Sequence, residues 1–174
     1  VLVLMGPRVL GLAVVQINLL VNVIFASTMV NGSQTALTVG WFLTYFTLGI
    51  IAQSIGTAVF PTLSALAADS DFAGYRDRLA NAMRGVLFLA FPATVGLMVL
   101  GGPVVAVAFQ RGEWTAIDTQ ATAWALAFYA FGIAGHSLLE LLARAFYALS
   151  DTWTPVKIGV AAMISNIVLS IVFI

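Results

Sequence analysis

His136, Glu140 and Arg144 stand at four-residue steps in Ala121 to Ser150, a stretch that is otherwise uncharged. On a helix that spacing puts all three on one stripe. Glu140 and Arg144 can pair as ions, and His136, the deepest of the three, can relay a proton or act as a pH-sensitive ligand. A Glu or Arg at the centre of a bilayer costs about 2.5–3.5 kcal/mol on the insertion scale, so the stripe is expected to face protein or water. Arg144 lies within two turns of the end of its stretch and can snorkel to the interface. The chain has one histidine and no cysteine, too few ligands for a metal site.

The other polar groups inside apolar runs are neutral. Asn18 and Asn22 are four apart and share a face, whereas Gln16 lies about 160° from Asn18 at 100° per residue. They serve either helix-to-helix hydrogen bonding or an aqueous cavity. Gln53 and Ser54 sit among Gly49 and Gly56, which permit close backbone packing, and Asn166 and Ser170 repeat the four-residue step. There is no phosphate loop, nucleophile elbow or pair of carboxylates sharing a pocket, so the residues point away from an enzyme. No cofactor is expected from them.

The elements that hold these groups are five runs of largely apolar residues, each about long enough to cross ~30 Å of hydrocarbon as a helix. They predict an all-α, polytopic transmembrane helix bundle, one domain over 1–174 with spans near 8–30, 36–60, 85–101, 121–149 and 155–174. Hydrophobic residues make up 61% of the chain and charged residues 8%, too little polar surface to cover a water-soluble domain. Seven basic and seven acidic residues cancel, which gives no sign of nucleic-acid binding. The chain opens on Val1 without a basic, apolar and cleavable leader pattern. Both ends read as cut, so the sequence is expected to be an internal piece of a longer transporter-sized protein.

Pro7 suits a first helical turn, Asn31 to Gln34 a turn, and Pro155 the start of the last span. Between the second and third spans, segment 62–84 carries Asp69, Asp71, Arg76, Asp77, Arg78 and Arg84, with Phe72, Tyr75, Leu79 and Met83 at three- and four-residue steps. It reads as an interfacial amphipathic helix, capped at its start by Asp71. Gly102 to Gln120 reads as a short surface helix, a turn and a new helix start. Alternating spans then place Arg8, Arg76, Arg78, Arg84 and Lys157 on one side against Arg111 on the other. By the positive-inside bias the first side is cytoplasmic, and Trp114 and Trp153 fall at span ends as aromatic anchors.

Particular residues also carry a family likeness. They are Met5 to Leu12 followed by Gln16-Ile17-Asn18, then Gly56-Thr57-Ala58-Val59-Phe60-Pro61-Thr62-Leu63-Ser64, and above all Arg144 to Leu149, Asp151-Thr152 and Thr154 to Gly159. Across essentially its whole length the chain resembles the MurJ (MviN) family of bacterial lipid II flippases, in which the Phe-Tyr-Ala-Leu-x-Asp-Thr-x-Thr-Pro-Val-Lys pattern is the most specific part. The resemblance implies the seventh to eleventh of fourteen spans, most of the second of two lobes, the first being absent from this sequence. It also implies alternating access in the bacterial inner membrane, with a lipid-linked disaccharide-peptide crossing through a hydrophilic cavity for cell-wall synthesis. An arginine of the family aligns with Phe42, so this chain lacks that charge. A monovalent-cation site, for sodium, maps onto Asn22, Asn166 and Ser170, and Glu140 falls where some relatives carry lysine.

The expected cavity or gating residues are Asn18, Asn22, Gln53, His136, Glu140 and Arg144, and the expected partners are lipid II or a related undecaprenyl-pyrophosphate-linked substrate, membrane lipids and the absent lobe. Two other readings stay open. One is a related exporter of polysaccharide-lipids or organic cations, which needs Glu140 as a free carboxylate. The other is a transport-inactive scaffold for cell-wall enzymes, prompted by Phe42.

Overall fold

The computed structural model describes residues 32–172 together with Gln16 and Leu20. Helices α1 (Ser33–Leu48) and α2 (Ser54–Ala68) are joined by a π-helical segment, Gly49–Gln53, into one 36-residue rod. Next come α3 (Phe72–Phe109), α4 (Ala116–Phe131), α5 (Ile133–Ala148) and α6 (Trp153–Val172). Among the described residues there is no strand. The α1–α2 rod and α3 are each long and apolar enough to cross a membrane, and α4 with α5 makes a third such unit bent by 47°. Of the first expected span only Gln16 and Leu20 are described, both helical.

Several boundaries differ from the sequence reading. The rod runs through Pro61 to Ala68, and α3 starts one tight turn later, so segment 62–84 is no separate interfacial helix. Its apolar side packs inward instead: Tyr75 is buried, and Leu79 and Met83 lie against the core formed with α2 and α5. At its far end α3 continues through Pro103 to Phe109, where a short surface helix was expected. At 1.5 Å per residue, its 38 residues reach about 57 Å, well beyond the hydrocarbon.

The helices pack through small residues, as expected where lipid gives no hydrophobic drive for association. On α1 the buried positions are Ala36, Gly40, Thr44 and Leu48, and on α3 they include Ala82, Ala90 and Gly101. Bulky residues such as Phe88, Phe128 and Phe131 point outward, the reverse of a water-soluble core. Large side chains are fully buried at a few positions, among them Leu63, Ile133, Leu141 and, on α4, Leu126. A Cβ on Gly40 would meet the Leu126 backbone nitrogen at 3.2 Å, and one on Gly101 would meet the Leu126 Cδ2 at 2.9 Å. Gly40 therefore lets α1 approach the backbone of α4, and Gly101 leaves room on α3 for the Leu126 side chain.

Half-way along the bundle, three helices are irregular at one depth. Leu48, Ala90, Ala130 and Ile133 form a single buried cluster. Beside it lie the start of the π segment at Gly49, the break between α4 and α5 at Gly132, and Pro92 of α3. Pro92 has no N–H to give the Phe88 carbonyl. Thr94 and Thr44 turn their hydroxyls back onto the carbonyls of Ala90 and Gly40, both at 2.9 Å, a habit that bends helices.

Two turns at one end share a construction. Both α2 and α5 finish with a serine in the left-handed region, Ser70 at φ 58° and Ser150 at φ 61°. In each, the serine N–H and the following aspartate N–H reach back to helix carbonyls: Ser70 to Ala67 and Asp71 to Leu66, Ser150 to Tyr147 and Asp151 to Phe146. The aspartate then caps the next helix, Asp71 accepting from the Gly74 N–H at 2.9 Å and Asp151 from the Thr154 N–H at 3.0 Å. Since a left-handed conformation costs an L-residue about 1–2 kcal/mol that glycine escapes, Ser150→Gly is expected to raise the thermal midpoint, with a net gain of about 1 kcal/mol. Hydrogen bonds from the Thr154 hydroxyl and then its N–H, helped by the Trp153 N–H and the Lys157 charge, hold the Asp151 carboxyl below its ordinary pKa. Its contribution is therefore complete above about pH 4, the unfolded value, and fades as pH falls through the lower folded value. Thermal scans of wild type and Asp151→Asn between pH 6 and 3 should converge toward the acid end.

Candidate functional site

On α5 the buried stripe is Ile133, Ser137, Leu141 and Ala145, which docks the helix onto its neighbours. Tyr75 of α3 clamps this docking by donating its hydroxyl to the Ala145 carbonyl at 2.7 Å. His136, Glu140 and Arg144 lie one position round from that stripe, half-buried. The π segment on the facing rod widens one turn and sets Gln53, its last residue, opposite Glu140 and Arg144.

These three side chains form a closed polar network. The Arg144 Nη1 stands 3.4 Å from Glu140 Oε2 and donates to the Glu140 backbone carbonyl at 3.4 Å. Gln53 closes the triangle, donating through Nε2 to Glu140 Oε2 at 3.4 Å and accepting through Oε1 from Arg144 Nη2. The side chains of Arg144 and Glu140 keep 20% and 31% of their surface open. That partial shielding makes the pair stronger than one in water and cheaper to form than one in a dry core.

Arg144 reaches Gln53 by lying across Gly56 of α2. A Cβ there would stand 2.5 Å from Nη1 and 3.1 Å from Cδ. Gly56→Ala is therefore expected to push the guanidinium off the network while costing little stability, because the obstructed group is the tip of a flexible side chain. Thermal midpoint near wild type with reduced function in a complementation assay is the expected pattern.

Beside the network, Thr57, Phe60, Glu140, Ala143, Arg144 and Tyr147 line an open groove of about 410 Å³. Pro61 has no N–H for the Thr57 carbonyl, so the groove wall carries a backbone acceptor that its own helix leaves unclaimed. His136 stands apart from the network. Its ring meets that of Trp41 edge-on, at 6.2 Å and 84°. Trp41 also contacts Tyr45 at 5.9 Å and Tyr129 at 5.6 Å.

The structure thus joins Gln53, Glu140 and Arg144, and places His136 one turn away among aromatic rings. Asn18 and Asn22 lie outside the described residues. Asn166 sits on α6 with its Oδ1 buried and without a hydrogen-bond partner among the described residues, whereas the Ser170 side chain is outside them. The sequence reading missed the Gly132 break, signalled only by a glycine in a helical run, and the Trp41 cluster, in which Tyr129 and His136 lie 88 and 95 residues from Trp41.

Comparison with known proteins agrees with this architecture. The family model described as lipid II flippase MurJ matches residues 1–174. A probable lipid II flippase MurJ of Vibrio cholerae is 39% identical over 98% of this chain and 32% of its own length. A probable lipid II flippase MurJ of Haemophilus influenzae is 35% identical over 94% of this chain and 33% of its own. A solved structure of lipid II flippase MurJ in an inward closed conformation superposes with a TM-score of 0.83 at 29% identity, covering 94% of this chain and 34% of that one. The chain spans about a third of the length of these relatives. Given a family match over every residue and a shared helical fold, the chain belongs to the MurJ family of lipid II flippases.

Proposed function

We propose that this chain is the part of a lipid II flippase that walls one side of its transport cavity. The observation that carries the reading is the Gln53–Glu140–Arg144 network, a charged cluster held beside an open groove inside an otherwise apolar bundle of the MurJ family. Such a cluster offers fixed hydrogen-bonding groups in place of the water that sugars and pyrophosphate lose on crossing. Transport then proceeds by alternating access in the bacterial cytoplasmic membrane, the headgroup passing through the cavity while the tail stays in lipid. Asn18, Asn22 and His136 are taken as further cavity or gating positions. The missing charge at Phe42 leaves the pyrophosphate to cations of the first lobe.

The reading as an organic-cation exporter requires Glu140 to be free, and its pairing with Arg144 weighs against that. For ion coupling, the buried Oδ1 of Asn166, without a hydrogen-bond partner among the described residues, supplies one neutral oxygen toward a sodium site shared with Asn22 and Ser170. The deciding experiment depletes the full-length protein in its own bacterium and assays lipid II accessible at the outer surface. Accessibility should collapse on depletion and return with the wild-type gene; unchanged accessibility rules the flippase out.

A further inference from the structure

The groove between α2 and α5 holds one charge of each sign, Glu140 and Arg144, and each keeps an unused part. Glu140 makes both its side-chain contacts through Oε2, and among the described residues Oε1 has none. Arg144 is engaged through Nη1 and Nη2, and among the described residues Nε has no partner. The Thr57 carbonyl adds an acceptor, since Pro61 cannot donate to it. Phe60 and Tyr147 supply aromatic walls, a surrounding that favours an ammonium. The face around the groove is not one made for lipid. Beside it α2 exposes Ser54, Thr57, Ala58, Pro61, Thr62 and Ala65, mostly small or polar, whereas α3 turns Phe88, Phe91, Val95, Val99 and Val107 outward.

These unused groups select by charge. A lone anion on Arg144 stands beside the Glu140 carboxylate, and a lone cation on Glu140 stands beside the guanidinium, so each gains from one group and loses to the other. A ligand with both charges close together gains from both when it lies antiparallel to the protein's own pair, whose nearest atoms are 3.4 Å apart. An ammonium and a carboxylate on one carbon meet that condition. Pyrophosphate, which carries only negative charge, and an acyl tail, which carries none, do not. We propose that this groove seats a free amino-acid end on the peptide of the cargo, its ammonium received by Glu140 Oε1 and the Thr57 carbonyl and its carboxylate by Arg144. The groove volume of about 410 Å³ admits such an end with the peptide that adjoins it. Gln53 holds the protein's own pair in place through Oε2 and Nη2, which keeps the remaining groups turned to the ligand. This assignment rests on the flippase reading and names the part of the cargo that this wall recognises.

The test uses the full-length protein in nanodiscs of phosphatidylglycerol and two probes. One is lipid II whose peptide carries a diamino acid with free ammonium and carboxylate, and the other is the same lipid II acetylated on that ammonium. Wild type is expected to bind the intact probe about tenfold more tightly, as befits loss of charge-assisted contacts. Glu140→Gln should bring the two affinities within about twofold of each other. Pro61→Ala restores the N–H that claims the Thr57 carbonyl, so it should fold at least as well as wild type and cut the preference about threefold. Should Glu140→Gln fold poorly, Pro61→Ala decides alone. Wild-type protein that binds both probes equally overturns the assignment and leaves the flippase reading to the surface-accessibility assay. A tenfold preference that survives in the folded variants also overturns it, because the discrimination then lies elsewhere. So does a preference lost on adding phosphatidylethanolamine, whose head carries the same two charges and would then be the occupant. Wild-type protein that binds neither probe removes the flippase reading itself.

Discussion

Arg144→Leu is expected to abolish complementation of a strain depleted of the full-length protein, and to lower stability by about 1–2 kcal/mol. Breaking a fully buried ion pair costs about 3–5 kcal/mol because the survivor is left charged and unpaired. The open fractions of Arg144 and Glu140 reduce that figure, since water reaches both groups. Gln53 would retain its contact with Glu140 but lose the guanidinium that orients its amide. Adding Glu140→Gln removes the stranded charge, so the double variant should regain most of the stability and none of the activity. Recovery of both together would reduce the network to a packing device.

Leu126→Ala is expected to produce the largest loss of stability of any single truncation in the half of the bundle that holds Gly40 and Gly101, about 2–3 kcal/mol. In water-soluble cores such truncations cost about 2–5 kcal/mol, from lost transfer energy plus the cavity left behind. In a membrane the transfer part shrinks, because lipid solvates the side chain as well as the protein does. The cavity part persists here, since Gly101, which faces the Leu126 side chain, has no side chain with which to refill the space. Thermal unfolding in detergent should show the loss, with Leu126→Met nearly neutral as a volume-conserving control. A midpoint unchanged by Leu126→Ala would mean that α1, α3 and α4 are held together elsewhere.

The helical bundle was legible because hydrocarbon-length apolar runs leave a chain few alternatives in lipid. The polar stripe was legible too: three groups at four-residue steps must share a face on any helix, and the Glu140–Arg144 pair follows from that spacing alone. Gln53 as their third member was only half visible. Its partners are 87 and 91 residues away, and the π turn that aims it leaves no distinctive composition in Gly49-Ile50-Ile51-Ala52-Gln53. The extent of α3 misled for a related reason. Pro92 and Pro103 are ordinary breakers in isolation, but packing against α4 and α5 carries the helix across both. Of the serine–aspartate turns the sequence showed the Asp71 cap but not the left-handed serines, since a left-handed serine is a backbone choice that residue type barely records.

The π segment of α1–α2, the hydrogen bond that Pro92 omits from the continuous α3, and the bend of α4–α5 lie at a common depth and concentrate mechanical compliance in one slice of the bundle. A rod bends where its hydrogen-bond ladder is thinnest, so a torque on the end bearing Arg144 and the twin serine turns is absorbed at the level of Leu48 and Ile133. The half braced by Leu126 can then stand still as an anchor while the half bearing the ion pair swings. Such a lobe behaves as a jointed lever rather than a rigid block.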